Sequence, residues 1–484
     1  MEDRVQELRL GQVSVGVTRR FRAHDRLACI ENPPIIPATD THDSSSRVTT
    51  TLLGSRSRLT SPRAPPRSSS LARVFVARMG RSPSSTPSAS ARRRAARLVC
   101  FGFDGLEMND HARSMIDAGC GAVIIFARNI ATPAQVASLT AAMKRRAAPR
   151  PLLVMVDQEG GRVARFRAPR FTDIPSARRV GRSPDPVRAA TVVGDVVARE
   201  LRATGVDMTL APVVDVDTNP ECVVIGDRAF ATEPDAVGDA AVAFIEAAQK
   251  AGAATCAKHW PGHGDVREDS HDALPVLPHA LDRLRAVEMR PFERAVEANV
   301  AAVLVAHLEV PAMEPDPEEE ETKTSGGGDG DGTGSTKSRP LSTPPRPPRP
   351  ASCSRAVVGY LREVLGYDGL VMTDDMEMGA LRSLGVGECA VRGLLAGVDL
   401  FLACHARKTQ EAVIDALAVA IDGARRDASE AAARATSRIY ACCDAFVAEA
   451  GLGGAETGLG DVGTARSRDR IAEALGAAAA GARL

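Results

Sequence analysis

Eight short apolar runs, separated by segments with helical periodicity, are the feature of this sequence that most constrains its fold. Strands of a parallel sheet are buried on both faces and therefore read as nearly continuous apolar runs. The eight runs are Leu98–Phe103, Ala122–Phe126, Leu152–Val156, Met208–Val214, Ala253–Ala257, Ala302–Ala306, Leu370–Thr373 and Val398–Leu402. The clearest helical intervals are Pro133–Arg146, Ala189–Ala203, Ala236–Lys250, Leu281–Ala298 and Ala356–Leu365. Eight βα units predict an α/β chain that folds into a single (β/α)8 TIM-type barrel.

The residues that follow these runs carry side chains capable of chemistry. In a (β/α)8 barrel the carboxyl ends of the strands meet at one rim, and the active site forms there. The residues at these positions are Asp104, Arg128, Asn129, Asp157, Asp215, Asp217, Lys258, His259, His307, Asp374, Asp375 and His405. Charged residues collect in the loops of any protein, but a polar residue after nearly every run favours an enzyme.

The chemically densest stretch of the chain, KHWPGHGDVREDSHDALP, runs from Lys258 to Pro275. Asp269 and His271 are two residues apart, so an extended backbone puts both side chains on one side, where a carboxylate can orient an imidazole. That arrangement is typical of an acid/base pair. The alternative interpretation is a polar surface loop with fortuitous histidines. His263, between two glycines, is interpreted as a residue that shapes the loop.

Outside the predicted barrel the composition changes. Residues 1–95 are predicted to be disordered or a targeting region, because the Arg- and Ser-rich, acid-free segment after Met79 resembles an organelle transit peptide. An imperfect gene model is an alternative for this region. We expect the catalytic barrel to span residues 96–450, with a disordered low-complexity insert at 311–349 and a C-terminal tail at 451–484. The expected location is accordingly cytoplasmic or organellar.

Charge, apolar content and cysteine spacing exclude several classes of partner. The 61 basic side chains balance 61 acidic ones, so bulk charge does not favour binding to nucleic acid or to an anionic membrane. No apolar run approaches the roughly 20 residues of a membrane span, and none near Met1 resembles a secretory signal. The 10 cysteines include no C-x-x-C pair, which indicates reduced thiols and no zinc-knuckle spacing.

Six segments form an ordered set of motifs along the predicted barrel. They are GAVIIFARNI at Gly121–Ile130, VDQEGGRVARF at Val156–Phe166, LAPVVDVDTNP at Leu210–Pro220, VIGDRAF at Val224–Phe230, KHWPGHGDVREDSHDALP at Lys258–Pro275 and VMTDDMEMGAL at Val371–Leu381. In order and spacing this set resembles the family-3 glycoside hydrolases, in their β-N-acetylhexosaminidase branch. The resemblance covers roughly Leu98 to Ala448.

The resemblance implies retaining hydrolysis of terminal β-linked N-acetylglucosamine by double displacement. Matched residue by residue, Asp374 is the nucleophile, and His271 with its partner Asp269 is the general acid/base. Four further matches hold the sugar hydroxyls: Asp157, Arg228, Lys258 and His259. The implied substrate is a small carbohydrate that contains N-acetylglucosamine. We expect a monomer that needs no cofactor and no metal.

Several polar residues near these motifs have a structural interpretation instead. Glu159 precedes two glycines that indicate a tight turn, in which a carboxylate often binds backbone amides. Asp375 points away from Asp374 if the strand continues, because side chains alternate along a strand. Trp260 is expected to pack beneath the loop rather than on a sugar. Two histidines that end strands are candidates for the pocket wall: His307 and His405.

Three other functions stay open on the sequence alone. A metal-dependent hydrolase on the same fold would use His259, His263, Asp269 and His271 as zinc ligands, but the usual His-x-His of the first strand is absent, since that strand ends FGFD. A catalytically inactive sugar-binding barrel is disfavoured, because a binder needs no nucleophile and acid together. The third function is transfer of the sugar to phosphate instead of water. A neutral histidine as acid/base would repel an anionic phosphate less than a carboxylate would.

Overall fold

Eight parallel strands close into a barrel in the computed structural model, which describes residues 86–270, 272–314, 349–423, 426–447 and 458–476. The strands in the described residues are β1 (Val99–Phe101), β2 (Ala122–Ile125), β3 (Leu153–Val156), β4 (Gln158–Gly160), β5 (Val163–Ala164), β6 (Met208–Thr209), β7 (Ala254–Trp260), β8 (Ala302–Val305), β9 (Leu370–Asp375) and β10 (Leu400–Ala403). Around the barrel the order is β1-β10-β9-β8-β7-β6-β3-β2, and β4 pairs with β5 in a separate hairpin. The predicted (β/α)8 barrel is confirmed.

Each of the eight apolar runs overlaps one barrel strand, although β7, β9 and β10 extend past the ends of their runs. The match follows from burial: every residue of β2, β3, β8 and β10 is buried, so no solvent-facing position interrupts the apolar pattern. The barrel closes where β1 pairs with β10, with Val99 opposite Phe401.

One described helix precedes β1, and the others lie between the strands or after β10. The described helices are α1 (Ala89–Arg97), α2 (Asp110–Ala118), α3 (Pro133–Ala147), α4 (Ala177–Gly181), α5 (Pro186–Ala203), α6 (Pro234–Lys250), α7 (Leu281–Ala286), α8 (Arg290–Glu297), α9 (Arg355–Gly359), α10 (Val386–Ala396), α11 (Arg407–Asp422), α12 (Arg426–Phe446) and α13 (Ala465–Ala474). Three of them, α3, α5 and α6, have proline as their first residue, where its missing N–H has no intrahelical acceptor to lose. None of the described helices has the length and apolarity to cross a membrane.

Two predicted helices are broken in the structure. The interval Leu281–Ala298 forms α7 and α8 instead of one helix. Pro291, in the first turn of α8, explains the break, because a proline ring clashes with the carbonyl four residues earlier, here that of Val287. The interval Ala356–Leu365 begins as α9 and continues as a π-helix from Tyr360 to Val364.

The regions around the barrel are only partly described. Helix α1 starts at Ala89, inside the region predicted to be unstructured up to residue 95, and Ser88 N–H donates to the Asp422 carboxylate of α11 at 2.9 Å. Residues 1–85 and most of the predicted insert lie outside the described residues. In the C-terminal tail, Arg470 of α13 pairs with Asp195 of α5 at 2.8 Å.

A buried aspartate ties the barrel together just before β6. Asp207 is fully buried; its carboxylate accepts the N–H of Val154 in β3 at 3.0 Å. The same carboxylate pairs with Lys144 Nζ at 2.6 Å and with Arg202 Nη1 at 2.9 Å. It therefore joins a strand to two helices, α3 and α5, at the amino end of the barrel.

The same arrangement recurs before β10. Asp399 is 1% exposed, accepts the N–H of Val371 in β9 at 2.9 Å, and pairs with Arg362 and Arg438. Two independent aspartates thus join neighbouring strands at the end of the barrel that usually contributes stability rather than catalysis.

We predict that Asp207→Ala lowers the free energy of unfolding by about 3–5 kcal/mol, because it leaves the buried charge of Lys144 and the half-buried charge of Arg202 without a carboxylate. Urea unfolding of the purified protein measures the change. The control is Glu411→Ala, which removes a solvent-exposed pair with Arg407 four residues away and should cost no more than about 0.5 kcal/mol. Equal losses in the two variants would contradict the role of Asp207.

Candidate active site

A cavity of about 430 Å³ lies at the carboxyl ends of the barrel strands. Its wall combines polar groups from several strand ends with a few apolar side chains. The lining residues are Ile124, Phe126, Ala127, Arg128, Asp157, Arg165, Leu210, Lys258, His259, Leu304, Asp374, Asp375, Met378, Leu402, Cys404 and His405. Convergent polar groups at this rim of a (β/α)8 barrel are the usual composition of an active site.

Irregular pairing in two strands brings adjacent residues into this wall together. Between β7 and β8, Lys258 is opposite Leu304, but Trp260 is already opposite Val305, so β7 carries one extra residue, His259. Such a bulge interrupts the alternation of side chains. Lys258 and His259 consequently both line the cavity.

The second irregularity lies in β9, where the four residues from Met372 to Asp375 are opposite three residues of β10, Leu400 to Leu402. Asp375 therefore lines the cavity beside Asp374. The structure contradicts the expectation that Asp375 would point the other way, because that expectation assumed a regular strand. Burial raises the pKa of the Asp375 carboxyl to about 7.

Lys258 is the centre of a buried ionic network at the cavity. Its Nζ lies 2.6 Å from Glu159 Oε1 and 3.1 Å from Asp157 Oδ1. Arg228 closes the network with two hydrogen bonds of 2.8 Å to the two oxygens of Glu159. The pKa of Glu159 reflects this: burial alone would raise it, but Lys258 and Arg228 outweigh burial and lower it to about 2.

His259 has both ring nitrogens engaged. Nδ1 lies 2.7 Å from Asp215 Oδ2, and Nε2 lies 3.2 Å from Arg228 Nη2. Because a guanidinium can only donate, Nε2 accepts and Nδ1 carries the proton. Burial and the neighbouring cations of Arg228 and Lys258 hold the pKa of His259 well below its usual range, so the ring is neutral.

Asp374, the penultimate residue of β9, is a half-buried carboxylate at the cavity wall. Its Oδ1 accepts the N–H of Asp375 at 2.8 Å. Burial alone would raise the pKa of Asp374, but the surroundings, which include His259, His307, that N–H and Lys258, lower it below the ordinary value. The carboxyl group is therefore ionised at neutral pH, as a nucleophile must be.

A sequence model of the glycosyl hydrolase family 3 N-terminal domain matches residues 91–440. The chain belongs to glycosyl hydrolase family 3. Among curated proteins, a β-hexosaminidase of Stenotrophomonas maltophilia (strain K279a) is 35% identical over 325 residues, which cover 65% of this chain and 86% of that protein. A β-hexosaminidase of Xanthomonas axonopodis pv. citri is 36% identical over 325 residues, with the same coverage of 65% and 86%.

Solved structures agree with this family. A family-3 β-N-acetylglucosaminidase from Paenibacillus sp. str. FPU-7 has a TM-score of 0.67 and 34% identity, covering 79% of this chain and 68% of its own. A β-N-acetylhexosaminidase from Beutenbergia cavernae has a TM-score of 0.61 and 25% identity, covering 72% and 97%. The resemblance to the β-N-acetylhexosaminidase branch of family 3 is confirmed, and the chain is a glycosidase.

The structure of this family-3 glycosidase brings four of the seven predicted site residues to one cavity: Asp374, Asp157, Lys258 and His259. Arg228 is not among the lining residues; it lies behind Lys258 and His259 and contacts Glu159 and His259. Asp269 is half-buried in the loop after β7, and its carbonyl accepts the N–H groups of Asp272 and Ala273. His271 lies outside the described residues.

Glu159 and Arg165 are site residues that sequence reasoning undervalued. Glu159 pairs with Lys258 and Arg228 instead of binding backbone amides in the turn. Arg165 lines the cavity and contacts Asp157 Oδ2 at 3.1 Å. Both belong to the VDQEGGRVARF motif. Their roles depend on the hairpin of β4 and β5, which places these side chains next to their partners and cannot be read from the motif itself.

The remaining aromatic and histidine side chains fall into two groups. Trp260 is fully buried and donates from Nε1 to Val357 O at 3.0 Å, so it packs beneath the loop as expected. His263 is buried and contacts Ser270 Oγ through Nε2 at 3.1 Å. His307 is also buried, with Nε2 3.1 Å from Asp375 O, and does not line the cavity, whereas His405 does.

A zinc site in the cavity finds no support in the described part of the chain. There, one group of three metal-capable residues brings its ligand atoms within 4.8 Å of one another, namely Asp265, His279 and Glu288. None of the three lines the cavity. The described members of the zinc set considered from the sequence, His259, His263 and Asp269, do not form such a group.

The raised pKa of Asp375 predicts a specific pH dependence of stability. Because the folded chain binds this proton more tightly than the unfolded chain does, the free energy of unfolding decreases as pH rises from about 4 to about 7. Asp375→Asn should abolish that part of the decrease, on the order of 1–4 kcal/mol. Urea unfolding of both proteins between pH 4.5 and pH 8 measures the difference. Parallel curves would show that Asp375 titrates normally.

Proposed function

We propose that this family-3 glycosidase removes terminal β-linked N-acetylglucosamine from a small carbohydrate substrate by double displacement. Asp374 is the nucleophile, and His271 with Asp269 is the general acid/base. The observation that carries the proposal is Asp374: a half-buried carboxylate that is kept ionised, near the end of a barrel strand, in the wall of the polar cavity.

The proposed reaction has two steps. In the first, Asp374 attacks the anomeric carbon and forms a glycosyl ester, while protonated His271 donates its proton to the leaving oxygen. In the second, His271 accepts a proton from water, which attacks the anomeric carbon and releases Asp374. Two inversions give net retention. Asp269 would hold the ring of His271 in one tautomer and stabilise its charged form, as a buried acid does in a hydrolase triad.

Formal charges around the cavity suit a neutral sugar. The cations of Lys258, Arg228, Arg165 and Arg128 are offset by four carboxyl groups, those of Asp157, Glu159, Asp374 and Asp375. The site therefore presents strong hydrogen-bonding groups without a large excess of charge. Charge-assisted hydrogen bonds are roughly twice as strong as neutral ones. We propose that Asp157 and Lys258 bind sugar hydroxyls directly, whereas Arg228 and His259, already engaged with each other, position them.

The first test compares aryl β-N-acetylglucosaminide with aryl β-glucoside. We expect selective cleavage of the N-acetyl substrate. Asp374→Asn should lose more than about 10⁴-fold in kcat, in line with the loss of other catalytic carboxylates and nucleophiles. His271→Ala should lose about 10²–10⁴-fold, the usual contribution of a general acid/base. Asp415→Asn, an exposed position on α11, serves as the control.

The leaving group separates the two roles. A leaving phenol of low pKa departs without being protonated, so His271→Ala should lose least in kcat on such a substrate. Asp374→Asn should be inactive on every substrate. Proton NMR of the first product should show the β anomer. Initial release of the α anomer would refute double displacement, and faster consumption with phosphate, giving sugar phosphate, would indicate transfer to phosphate instead of water.

Glu159→Gln tests the network behind the sugar-binding groups. It leaves the cations of Lys258 and Arg228 with a neutral partner, so kcat/KM should fall about 10- to 100-fold, equivalent to the ~1.5–3 kcal/mol of a hydrogen bond to a charged group. The same change at an exposed carboxylate, Glu411→Gln, is the matched control. Unchanged kcat/KM in a folded Glu159→Gln protein would mean that the network does not act on the substrate.

A further inference from the structure

A second cluster of chemically active side chains lies outside the cavity. Asp265, His279 and Glu288 bring their ligand atoms within 4.8 Å of one another. Asp265 lies near the start of the loop that carries Asp269, and His279 lies just before α7. The Asp265 carboxylate contacts His279 Nε2 directly. Glu288 lies in the turn between α7 and α8.

Glu288 supplies an independent indication of a ligand. The residue is 2% exposed, and among the described residues its Oε2 has no hydrogen-bond partner. Oε1 is held by Arg283 at 2.9 Å. A buried carboxylate oxygen without a partner is costly, and a bound cation would satisfy it.

Close packing limits how far Glu288 can move. Gly262 lies against it: a Cβ added at Gly262 would come within 2.7 Å of Glu288 Cβ. Arg283 of α7 donates a hydrogen bond to the Glu288 carboxylate and so restrains it further. The free oxygen is therefore held in place beneath the start of the loop.

One imidazole and two carboxylates match the ligands of a divalent transition metal. Imidazole favours zinc and its neighbours, whereas magnesium and calcium prefer sites made only of oxygen. Tetrahedral zinc with bonds near 2.0–2.2 Å needs ligand atoms about 3.3–3.6 Å apart. The contact between Asp265 and His279 must therefore open slightly, which rotation of these two half-buried side chains can supply. Asp265 and His279 are partly exposed, so water has access as the fourth ligand.

We propose that Asp265, His279 and Glu288 bind one divalent transition metal ion, with Zn²⁺ the best fit. The ion joins both ends of the loop segment 265–279 to the turn before α8, and so fixes the base of the loop that carries Asp269. It takes no part in the bond-breaking steps at Asp374, which lies in a different group of residues.

The experiment titrates zinc into protein freed of metal by exhaustive chelation, with isothermal calorimetry as the readout. Wild-type protein should bind one zinc per chain, and magnesium should not compete. Glu288→Gln and His279→Gln should each lose at least about 10-fold in affinity, the lower limit of what loss of even an outer-shell partner costs a metal site. His111→Gln, a histidine elsewhere on the surface of the fold, is the matched control.

Asp374→Asn separates this site from the cavity. If zinc binds at the proposed site, affinity is unchanged in Asp374→Asn and reduced in the two ligand variants. Equal affinity in wild type and both ligand variants, or no stoichiometric binding to wild type, would overturn the proposal and leave the trio as a hydrogen-bonded cluster. Neither outcome affects the glycosidase assay, which depends on Asp374 and His271.

Hydrogen exchange gives a readout on the loop itself. Zinc should slow exchange of backbone amides in residues 265–280 of the wild-type protein, because bound metal stabilises the conformation that holds it. Glu288→Gln should show no zinc-dependent slowing. Circular dichroism of the metal-free variants verifies that they are folded. Slowing of equal size in Glu288→Gln would contradict the site.

Discussion

The buried ammonium group of Lys258 is the interaction on which the site depends. A charge with 3% of its residue exposed is tolerated only because Asp157 and Glu159 lie within hydrogen-bonding distance. Asp157 lies 101 positions earlier in the chain, so only barrel closure brings the two together. Folding and site formation are therefore coupled, because the buried ammonium group and its carboxylate partners come from different strand ends.

The two ends of the barrel use buried charge for different purposes. At the amino end, Asp207 and Asp399 each accept a strand N–H and pair with two cations, so each carboxylate is fully paired within the protein. At the carboxyl end, Asp374 accepts one N–H but contacts no cation within ion-pair distance among the described residues. Several neighbouring groups together favour its ionised form. Because no single cation in the described part of the chain pairs with it, the carboxylate stays accessible for chemistry.

The sequence was sufficient for the barrel and for four of the residues that line the cavity, but not for the fine geometry there. Apolar runs mark buried strands by composition alone, and the motifs identify Asp157, Lys258, His259 and Asp374 as neighbours. A bulge depends on how two strands pair across the sheet, so the position of Asp375 could not be read from one strand. The same holds for Glu159: its partners Lys258 and Arg228 are distant in sequence, whereas the turn beside it is local.

Backbone and side-chain contacts join the two chain segments that flank the insert. Glu309 and Pro350 form an antiparallel bridge, Ala351 N–H donates to Leu308 O at 2.7 Å, and Arg349 pairs with Glu314 at 2.8 Å. These contacts hold the two ends together. The entropic cost of closing the chain between them grows only slowly with its length, because that cost varies with the logarithm of the number of residues. Segment length at this point is nearly neutral for stability, which makes it a tolerant position for insertions, deletions or a grafted domain over evolutionary time.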